Sequence, residues 1–88
     1  MPKMIATHEV DDVQHWLASG KRAEVFAGVA EDIVTFVDPA NPKRVGLSMT
    51  VLDMDAFQAI MQSEVGAAAM KHDGVHAETL VILTESAS

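Results

Sequence analysis

The sequence predicts an α+β domain in which four strands and two helices follow one another in the order β-α-β-β-α-β. Three observations support this order. A proline-containing turn leads into a segment where apolar residues alternate with small or polar ones, as in the second strand of a hairpin. Helix-capping aspartates follow the first and third strands, and a last apolar segment supplies the fourth strand. This is the ferredoxin-like arrangement, an antiparallel four-stranded sheet with its helices on one face.

The first strand and the first helix are predicted at the start of the chain. The segment "MIATHEV" (residues 4–10) contains β-compatible residues and stops at two aspartates, a helix N-cap signal. Apolar residues then recur at helical spacing, so we expect helix 1 to run from about Asp12 to Ser19. A continuation to Phe26 stays open, because Gly20 weakens the case for one continuous helix.

A hairpin is predicted in the middle of the chain. Ile33–Val37 is β-branched and aromatic, which is typical of a strand. The turn "DPANP" follows, and its prolines bias the preceding residues away from helix. Apolar residues at alternate positions then give a second strand with one apolar face: Val45, Leu47, Met49 and Val51.

The remaining sequence predicts the second helix and the last strand. Asp53 can cap a helix whose apolar residues share one face. Residues 63–73 form a further turn or short helix, and Gly74 fits the left-handed position that closes helices. Thr79–Glu85 is the fourth strand, and its apolar residues on both faces are typical of a strand buried on both sides.

Composition limits the number of domains and the partners. The 88 residues suit a single domain, 1–88. The net charge of −7 repels nucleic acid and anionic membranes, so neither is expected as a partner. The absence of cysteine excludes disulfides and thiolate chemistry. No segment is typical of a secretory leader or a membrane span, so we expect a cytoplasmic protein.

The face of the sheet that the helices leave uncovered predicts that the chain pairs with a second copy of itself. Helices on one face leave the other uncovered, whereas strands 3 and 4 carry apolar residues that suit burial. A second copy related by a two-fold axis covers that face without any other protein. We therefore expect a homodimer.

Three segments carry a resemblance to a known superfamily: "MIATHEVDDVQHWL", "DPANPKRVGLSMTVLDMDAFQAIM" and "AAAMKHDGV". Over nearly its whole length the chain resembles the dimeric α+β barrel superfamily, which includes the antibiotic biosynthesis monooxygenase-like proteins. The resemblance implies that two sheets pair face to face in an eight-stranded barrel with the helices outside. It also implies a pocket between each sheet and its own helices, which often holds a small organic ligand.

The activities that this resemblance implies are diverse. They include cofactor-independent oxygenases of aromatic polyketides, haem-degrading enzymes, isomerases and dehydratases. The pattern of the haem degraders needs an Asn on strand 1, a Trp near strand 3 and a His on helix 2. Here strand 1 offers Thr7 and His8, and the single tryptophan, Trp16, lies on helix 1. Haem degradation is therefore not expected, and we predict no cofactor.

The histidines near the end of the chain do not predict a metal site. His72 and His76 have the i, i+4 spacing at which two histidines on one helix bind a metal. Gly74 lies between them, however, and a glycine that ends the helix sends the two side chains apart. His72 is then a polar residue near the helix C-terminus, and His15 belongs to a solvated face of helix 1. We therefore expect no metal.

His8 is the candidate catalytic residue. On strand 1 it shares the more apolar face with Met4, Ala6 and Val10. A histidine among apolar neighbours needs a hydrogen-bond partner, and its near-neutral pKa suits acid–base chemistry or ligand binding. A structural histidine, bonded to a neighbouring side chain or across the dimer, is the alternative.

Aromatic and apolar side chains are the candidates for the wall of a ligand pocket. Trp16 is expected on the inward face of helix 1, where its ring is either core or pocket wall. The other candidates share apolar character on elements that surround the same space: Phe26, Phe36, Phe57, Ile60 and Met61.

Two classes of function follow from these observations. The first is a small-molecule-binding homodimer, with a small apolar or aromatic ligand; as an enzyme, it would be a cofactor-independent monooxygenase acting on an aromatic or polyketide-like compound. The alternative is a non-catalytic dimeric binding or assembly module. A cyclase or isomerase on the same fold is a third interpretation.

Overall fold

A computed structural model describes residues 2–86 and contains one four-stranded sheet. The strands are β1 (Lys3–Val10), β2 (Ala30–Val37), β3 (Arg44–Val51) and β4 (Val75–Thr84). The helices are α1 (Val13–Ala18), α2 (Lys21–Val25), α3 (Met54–Met61) and α4 (Glu64–His72). The predicted α+β, ferredoxin-like fold with an antiparallel sheet is confirmed.

The first predicted helical segment is divided into two helices. Helix α1 stops at Ala18 because the backbone of Ser19 is extended, with a ψ of 134°, so no continuous helix reaches Phe26. The further short helix predicted within residues 63–73 is present as α4. It starts at Ser63, whose hydroxyl accepts a hydrogen bond of 3.2 Å from the Gly66 N–H.

The two aspartate caps are confirmed. The Asp12 carboxylate accepts hydrogen bonds from the backbone N–H groups of Gln14 and His15, at 2.9 and 3.2 Å. The Asp53 carboxylate accepts one from the Ala56 N–H at 3.0 Å. Each cap satisfies N–H groups that have no partner inside the helix, and so determines where the chain leaves the sheet.

The strands lie in the order β2-β3-β1-β4, and each neighbouring pair is antiparallel. Met4 of β1 lies opposite Met49 of β3 on one side and Thr84 of β4 on the other. Alternate residues of the two central strands point toward the helices and form most of the core. These buried positions are Met4, Ala6, His8 and Val10 of β1, and Val45, Leu47, Met49 and Val51 of β3.

The opposite face of the sheet is open in the single chain. Its large apolar side chains are 48–59% exposed: Ile5, Val34, Phe36, Val81 and Leu83. We predicted β4 to be buried on both sides, but within one chain it is an edge strand with exposed apolar residues. The reason is that the helices cover only one face of the sheet.

Gly66 of α4 lies directly against the backbone of α3. A Cβ atom at this buried glycine would overlap the backbone carbonyl of Ile60. The absence of a side chain therefore allows this close contact between the two helices. None of the helices in residues 2–86 has the length and apolar character needed to cross a membrane.

Candidate functional site

An apolar cavity of about 80 Å³ lies between the helices and the inner face of the sheet. Three polar residues, His8, Arg22 and Asp73, form part of its wall. Methionine, aromatic and aliphatic side chains form most of the rest, among them Met4, Leu47, Met49, Phe57, Met61 and Leu80. An apolar wall with a small number of polar groups is the common form of a small-molecule site.

His8 is buried in this wall, with only 3% of its surface exposed. Its Nδ1 lies 3.4 Å from the carbonyl oxygen of Glu9, and this is the only hydrogen bond of the ring within residues 2–86. Burial lowers the pKa of His8, the Glu9 carbonyl acts in the opposite direction, and the Arg22 cation lowers it further. The imidazole is therefore neutral at pH 7, with Nδ1–H toward Glu9 and Nε2 available as an acceptor.

The Trp16 ring contacts both His8 and Arg22. Its ring is 1% exposed and meets the His8 imidazole edge to face, with centroids 5.6 Å apart and planes at 78°. The Arg22 guanidinium carbon lies 4.4 Å from the centre of the Trp16 ring. A cation over an indole face is stabilised by the negative charge density of the ring. The tryptophan thus holds both polar residues at the cavity.

Arg22 and Asp73 form a buried ion pair. Nη1 of Arg22 lies 3.5 Å from Oδ2 of Asp73, and the two side chains are 13% and 4% exposed. Burial lowers the pKa of the Arg22 guanidinium, while the Asp73 carboxylate opposes this shift. Nη1 is buried and makes no hydrogen bond of good geometry in residues 2–86. The cavity wall therefore contains a donor that is ion-paired with Asp73 but forms no hydrogen bond within residues 2–86.

Sequence analysis missed both members of this pair. Arg22 reaches the cavity because the chain breaks after Ala18 and α2 begins there as a separate helix. Asp73 is the C-cap of α4, where a carboxylate faces the negative end of the helix dipole. An acidic residue in that position indicates a cationic partner, and this signal is visible in the sequence.

Four of the predicted pocket residues line the cavity: Trp16, Phe26, Phe57 and Met61. The rings of Phe26 and Phe57 stack, with centroids 5.2 Å apart. Phe57 and Met61 are four residues apart on α3 and thus share one face of the helix.

The other two predicted pocket residues do not line the cavity. Phe36 pairs with Gly46, so it lies on the open face of the sheet and is 53% exposed. Ile60 is absent from the cavity wall, because Phe57 and Met61 occupy the α3 positions that face it.

A groove of about 300 Å³ adjoins the cavity and shares four residues of its wall: Met4, Phe57, Met61 and Ile82. Its remaining side chains, Met54, Gln58, Gln62 and Thr84, are largely polar and belong to α3, its C-cap and β4. The cavity and the groove together offer an elongated space with buried polar groups at the cavity and amide and hydroxyl groups in the groove.

The histidines near the end of the chain separate as the glycine between them predicts. Gly74 has a φ of 70° and follows the end of α4, so His72 remains on the helix while His76 begins β4. Nε2 of His76 lies 2.5 Å from Oδ1 of Asp11, and this contact raises the pKa of His76.

No protein-family model matches the chain, and no curated protein is significantly similar to it. Several solved structures, however, have a similar backbone. An antibiotic biosynthesis monooxygenase is 14% identical, with coverage of 100% of this chain and 99% of its own and a TM-score of 0.63. SnoaB, a cofactor-independent oxygenase from Streptomyces nogalater, is 11% identical, with coverage of 99% and 92% and a TM-score of 0.67. This chain has the antibiotic biosynthesis monooxygenase fold.

A third solved structure extends the range of proteins with this fold. An ethd family protein from Bacillus halodurans is 18% identical, with coverage of 100% of this chain and 99% of its own and a TM-score of 0.57. At these identities the likeness is one of backbone architecture. Within this fold, the cavity with His8, Trp16, Arg22 and Asp73 is the candidate site of the chain.

Proposed function

We propose that the protein binds a small aromatic molecule with a hydroxyl group in the cavity and, as a homodimer, oxygenates it without a cofactor. One observation carries this proposal: the cavity wall includes a buried donor without a hydrogen bond, Nη1 of Arg22, and the imidazole of His8, whose Nε2 is free to accept one when Nδ1–H is directed to Glu9. A buried polar group without a partner costs about 1–3 kcal/mol, so a ligand that satisfies both groups is stabilised. The fold shared with SnoaB, a cofactor-independent oxygenase, supports the reaction class.

A hydroxyl group is complementary to both unfilled groups. Its oxygen accepts a hydrogen bond from Arg22, and its proton is donated to the neutral imidazole of His8. A ketone or a carboxylate has acceptors only and leaves Nε2 of His8 without a partner. The pair therefore supports a phenol or an enol as the ligand.

Proton transfer to His8 would be the first chemical step. A neutral imidazole is the form that accepts a proton, and burial keeps His8 neutral at pH 7. The adjacent Arg22 cation would stabilise the phenolate or enolate that results. Such an anion is electron-rich enough to transfer an electron to O2, as an oxygenation without metal or flavin requires.

The volume of the cavity limits the ligand. Pockets for drug-sized molecules measure roughly 300–1,000 Å³, whereas this cavity measures about 80 Å³. A single aromatic ring fits when the flexible methionines of the wall, Met4, Met49 and Met61, change rotamer. The adjoining groove would then receive the rest of a larger, polyketide-like compound.

The homodimer is supported by the open face of the sheet. Five large apolar side chains on this face are about half exposed, and they form a surface that monomers seldom leave in water. A second copy that packs its own sheet against this face would bury these side chains. The cavity lies on the other face of the sheet, so each subunit would retain its own site.

A non-catalytic binding module is the second candidate function, and the small cavity favours it. In that case His8, Arg22 and Asp73 would hold a ligand or the helices in place without chemistry. Oxygen uptake separates the two candidates, because only the oxygenase consumes O2.

The binding proposal is tested with p-cresol and toluene, which differ by one hydroxyl group. We expect p-cresol to bind at least tenfold more tightly, with changes in the fluorescence of Trp16, the chain's only tryptophan. In Arg22→Met the preference for p-cresol should shrink to less than about threefold, while toluene binding is kept. Equal affinities for the two molecules in the wild-type protein would refute the hydroxyl assignment.

The catalytic proposal is tested with an electron-rich dihydroxynaphthalene in an oxygen electrode. We expect O2 uptake above the uncatalysed rate with the wild-type protein and none above it with His8→Gln. A His8→Gln variant that binds p-cresol and still consumes O2 at the wild-type rate would exclude His8 as the base. Absence of uptake with the wild-type protein would favour the binding module.

A further inference from the structure

Helix α1 and the end of α4 bring two histidines and a carboxylate together beside the cavity. Nε2 of His15 donates a hydrogen bond of 2.8 Å to the backbone carbonyl of His72, and the two imidazole centroids are 5.5 Å apart. Nδ1 of His72 lies 2.9 Å from Oδ1 of Asp73. One ligating atom from each of the three residues lies within 4.8 Å of the other two.

We propose that His15, His72 and Asp73 bind a divalent transition-metal ion, of which Zn²⁺ is the example tested. Two imidazoles and one carboxylate form a donor set that this class of ion favours, with an open position for water. Metal–ligand bonds of about 2.0–2.2 Å place tetrahedral ligand atoms about 3.3–3.6 Å apart. The hydrogen-bonded atoms of His72 and Asp73, at 2.9 Å, would separate by several tenths of an ångström to admit the ion.

The combination of one buried carboxylate and two exposed histidines suits such a site. Asp73 is 3% exposed and is held by Arg22, so the carboxylate is fixed before the ion arrives. His15 and His72 are exposed, so their imidazoles can exchange their present hydrogen bonds, to the His72 carbonyl and to Asp73, for bonds to the ion. Two further acids, Asp11 and Asp12, lie beside α1, and the net charge of −7 attracts cations.

Sequence reasoning missed this grouping because His15 and His72 are 57 residues apart. The pair with the usual helical spacing, His72 and His76, is separated by the turn at Gly74. The fold replaces His76 with His15 as the neighbour of His72.

The site shares Asp73 with the cavity. Oδ1 of Asp73 faces His72, whereas Oδ2 faces Arg22. A metal ion on Oδ1 would reduce the negative charge on Oδ2 and so weaken the attraction between Asp73 and Arg22. The N–H groups of Arg22 would then be more available to a ligand. Metal binding is therefore expected to increase the affinity of the cavity for p-cresol by a fewfold, although the metal site itself does not depend on the oxygenase proposal.

The test is a titration of the full, tag-free chain with Zn²⁺ by calorimetry. We expect one ion per chain, with affinity reduced at least tenfold in His15→Gln and in His72→Gln. The matched control is His76→Gln, which removes a histidine that also contacts a carboxylate but lies outside the site; its affinity should equal that of the wild type. Mg²⁺ in millimolar excess should not compete, because imidazole donors disfavour it.

A second measurement needs no variant and excludes an effect on folding. In NMR spectra of the wild-type protein, the imidazole resonances of His15 and His72 should shift or broaden on addition of Zn²⁺, and those of His8 should not. The proposal is overturned if His76→Gln weakens binding as much as His15→Gln does. It is equally overturned if the wild-type chain shows no binding at tens of micromolar Zn²⁺ and no change in the two imidazoles.

Discussion

Arg22 places its guanidinium 4.4 Å from the centre of the Trp16 ring, inside the layer between helices and sheet. The same side chain meets Asp73 at 3.5 Å, so one cation is stabilised by an aromatic face and by a carboxylate. This contact connects α2, α1 and the end of α4 at one point of the cavity wall. Five predictions about the fold, its charges and its assembly follow from this and from the other contacts described.

Asp73→Asn should destabilise the protein strongly. The substitution leaves Arg22 buried without its counter-charge, and breaking a buried pair on one side costs about 3–5 kcal/mol of unfolding free energy. Urea denaturation measures the loss. Asp11→Asn, which changes an exposed aspartate, is the control and should cost much less. The double variant Arg22→Met, Asp73→Asn should recover part of the loss; no recovery would mean that the charge pair is not its cause.

Gly66→Ala should also destabilise, by about 1–3 kcal/mol, because the added Cβ overlaps the Ile60 carbonyl and forces α3 and α4 apart. The matched control is Gly20→Ala, where a Cβ meets no atom within 4 Å. That variant should be neutral or slightly more stable, since alanine restricts the unfolded chain. Thermal unfolding compares the two, and equal melting temperatures for both variants would contradict the close helix approach.

The free energy of unfolding should decrease at acidic pH, and part of this decrease should come from His8. Burial lowers its pKa below the ordinary 6.5 in the folded state. As the pH drops below 6.5, the unfolded chain binds a proton at this residue and the folded chain does not, so the free energy of unfolding decreases. Above pH 6.5 the contribution is complete and constant. Urea denaturation at pH 5.5 and 7.5 should show a larger acid loss for the wild type than for His8→Gln.

His76 should behave in the opposite sense and serves as the comparison. The hydrogen bond with Asp11 raises its pKa, so its contribution is present at low pH and disappears as the pH rises through that raised pKa. An NMR titration should place the His8 midpoint below 6.5 and the His76 midpoint above it. A reversed order of the two midpoints would show that these environments are wrongly assigned.

Leu83→Lys should convert a dimer into a monomer without unfolding the chain. The residue is 59% exposed on the open face of the sheet, where a charge would have to be buried against a second copy. Val65→Lys on α4 makes the same chemical change at a side chain that is 60% exposed on the helical layer, and should leave the dimer intact. Sedimentation at micromolar concentration distinguishes them. A wild-type protein that sediments as a monomer would end the dimer proposal.

Much of the fold is predictable because its signals are local. The alternation in β3 and the caps Asp12 and Asp53 each depend on residues a few positions apart, and all of these were predicted. The parity of β1 also placed His8 on the apolar face, where the structure has it.

The parts that were not predicted depend on contacts between distant segments. The Arg22–Asp73 pair needs both the break before α2 and the end of α4, and neither segment predicts the other. Phe36 was wrongly assigned to the pocket because hydrophobicity does not reveal which face of a strand a residue occupies. Its pairing with Gly46 decides that face, and the register of the hairpin sets the pairing.

The position of β4 at the edge of the sheet has a consequence for handling the protein. Within residues 2–86 its outer backbone groups have no neighbouring strand, and the consecutive residues Val81, Ile82 and Leu83 are each at least 40% exposed. An unprotected apolar edge is a template on which further chains can add strands and grow into aggregates. Formation of the two-fold pair would compete with this open-ended growth, so at a given protein concentration a variant that cannot form the pair should stay in solution for a shorter time.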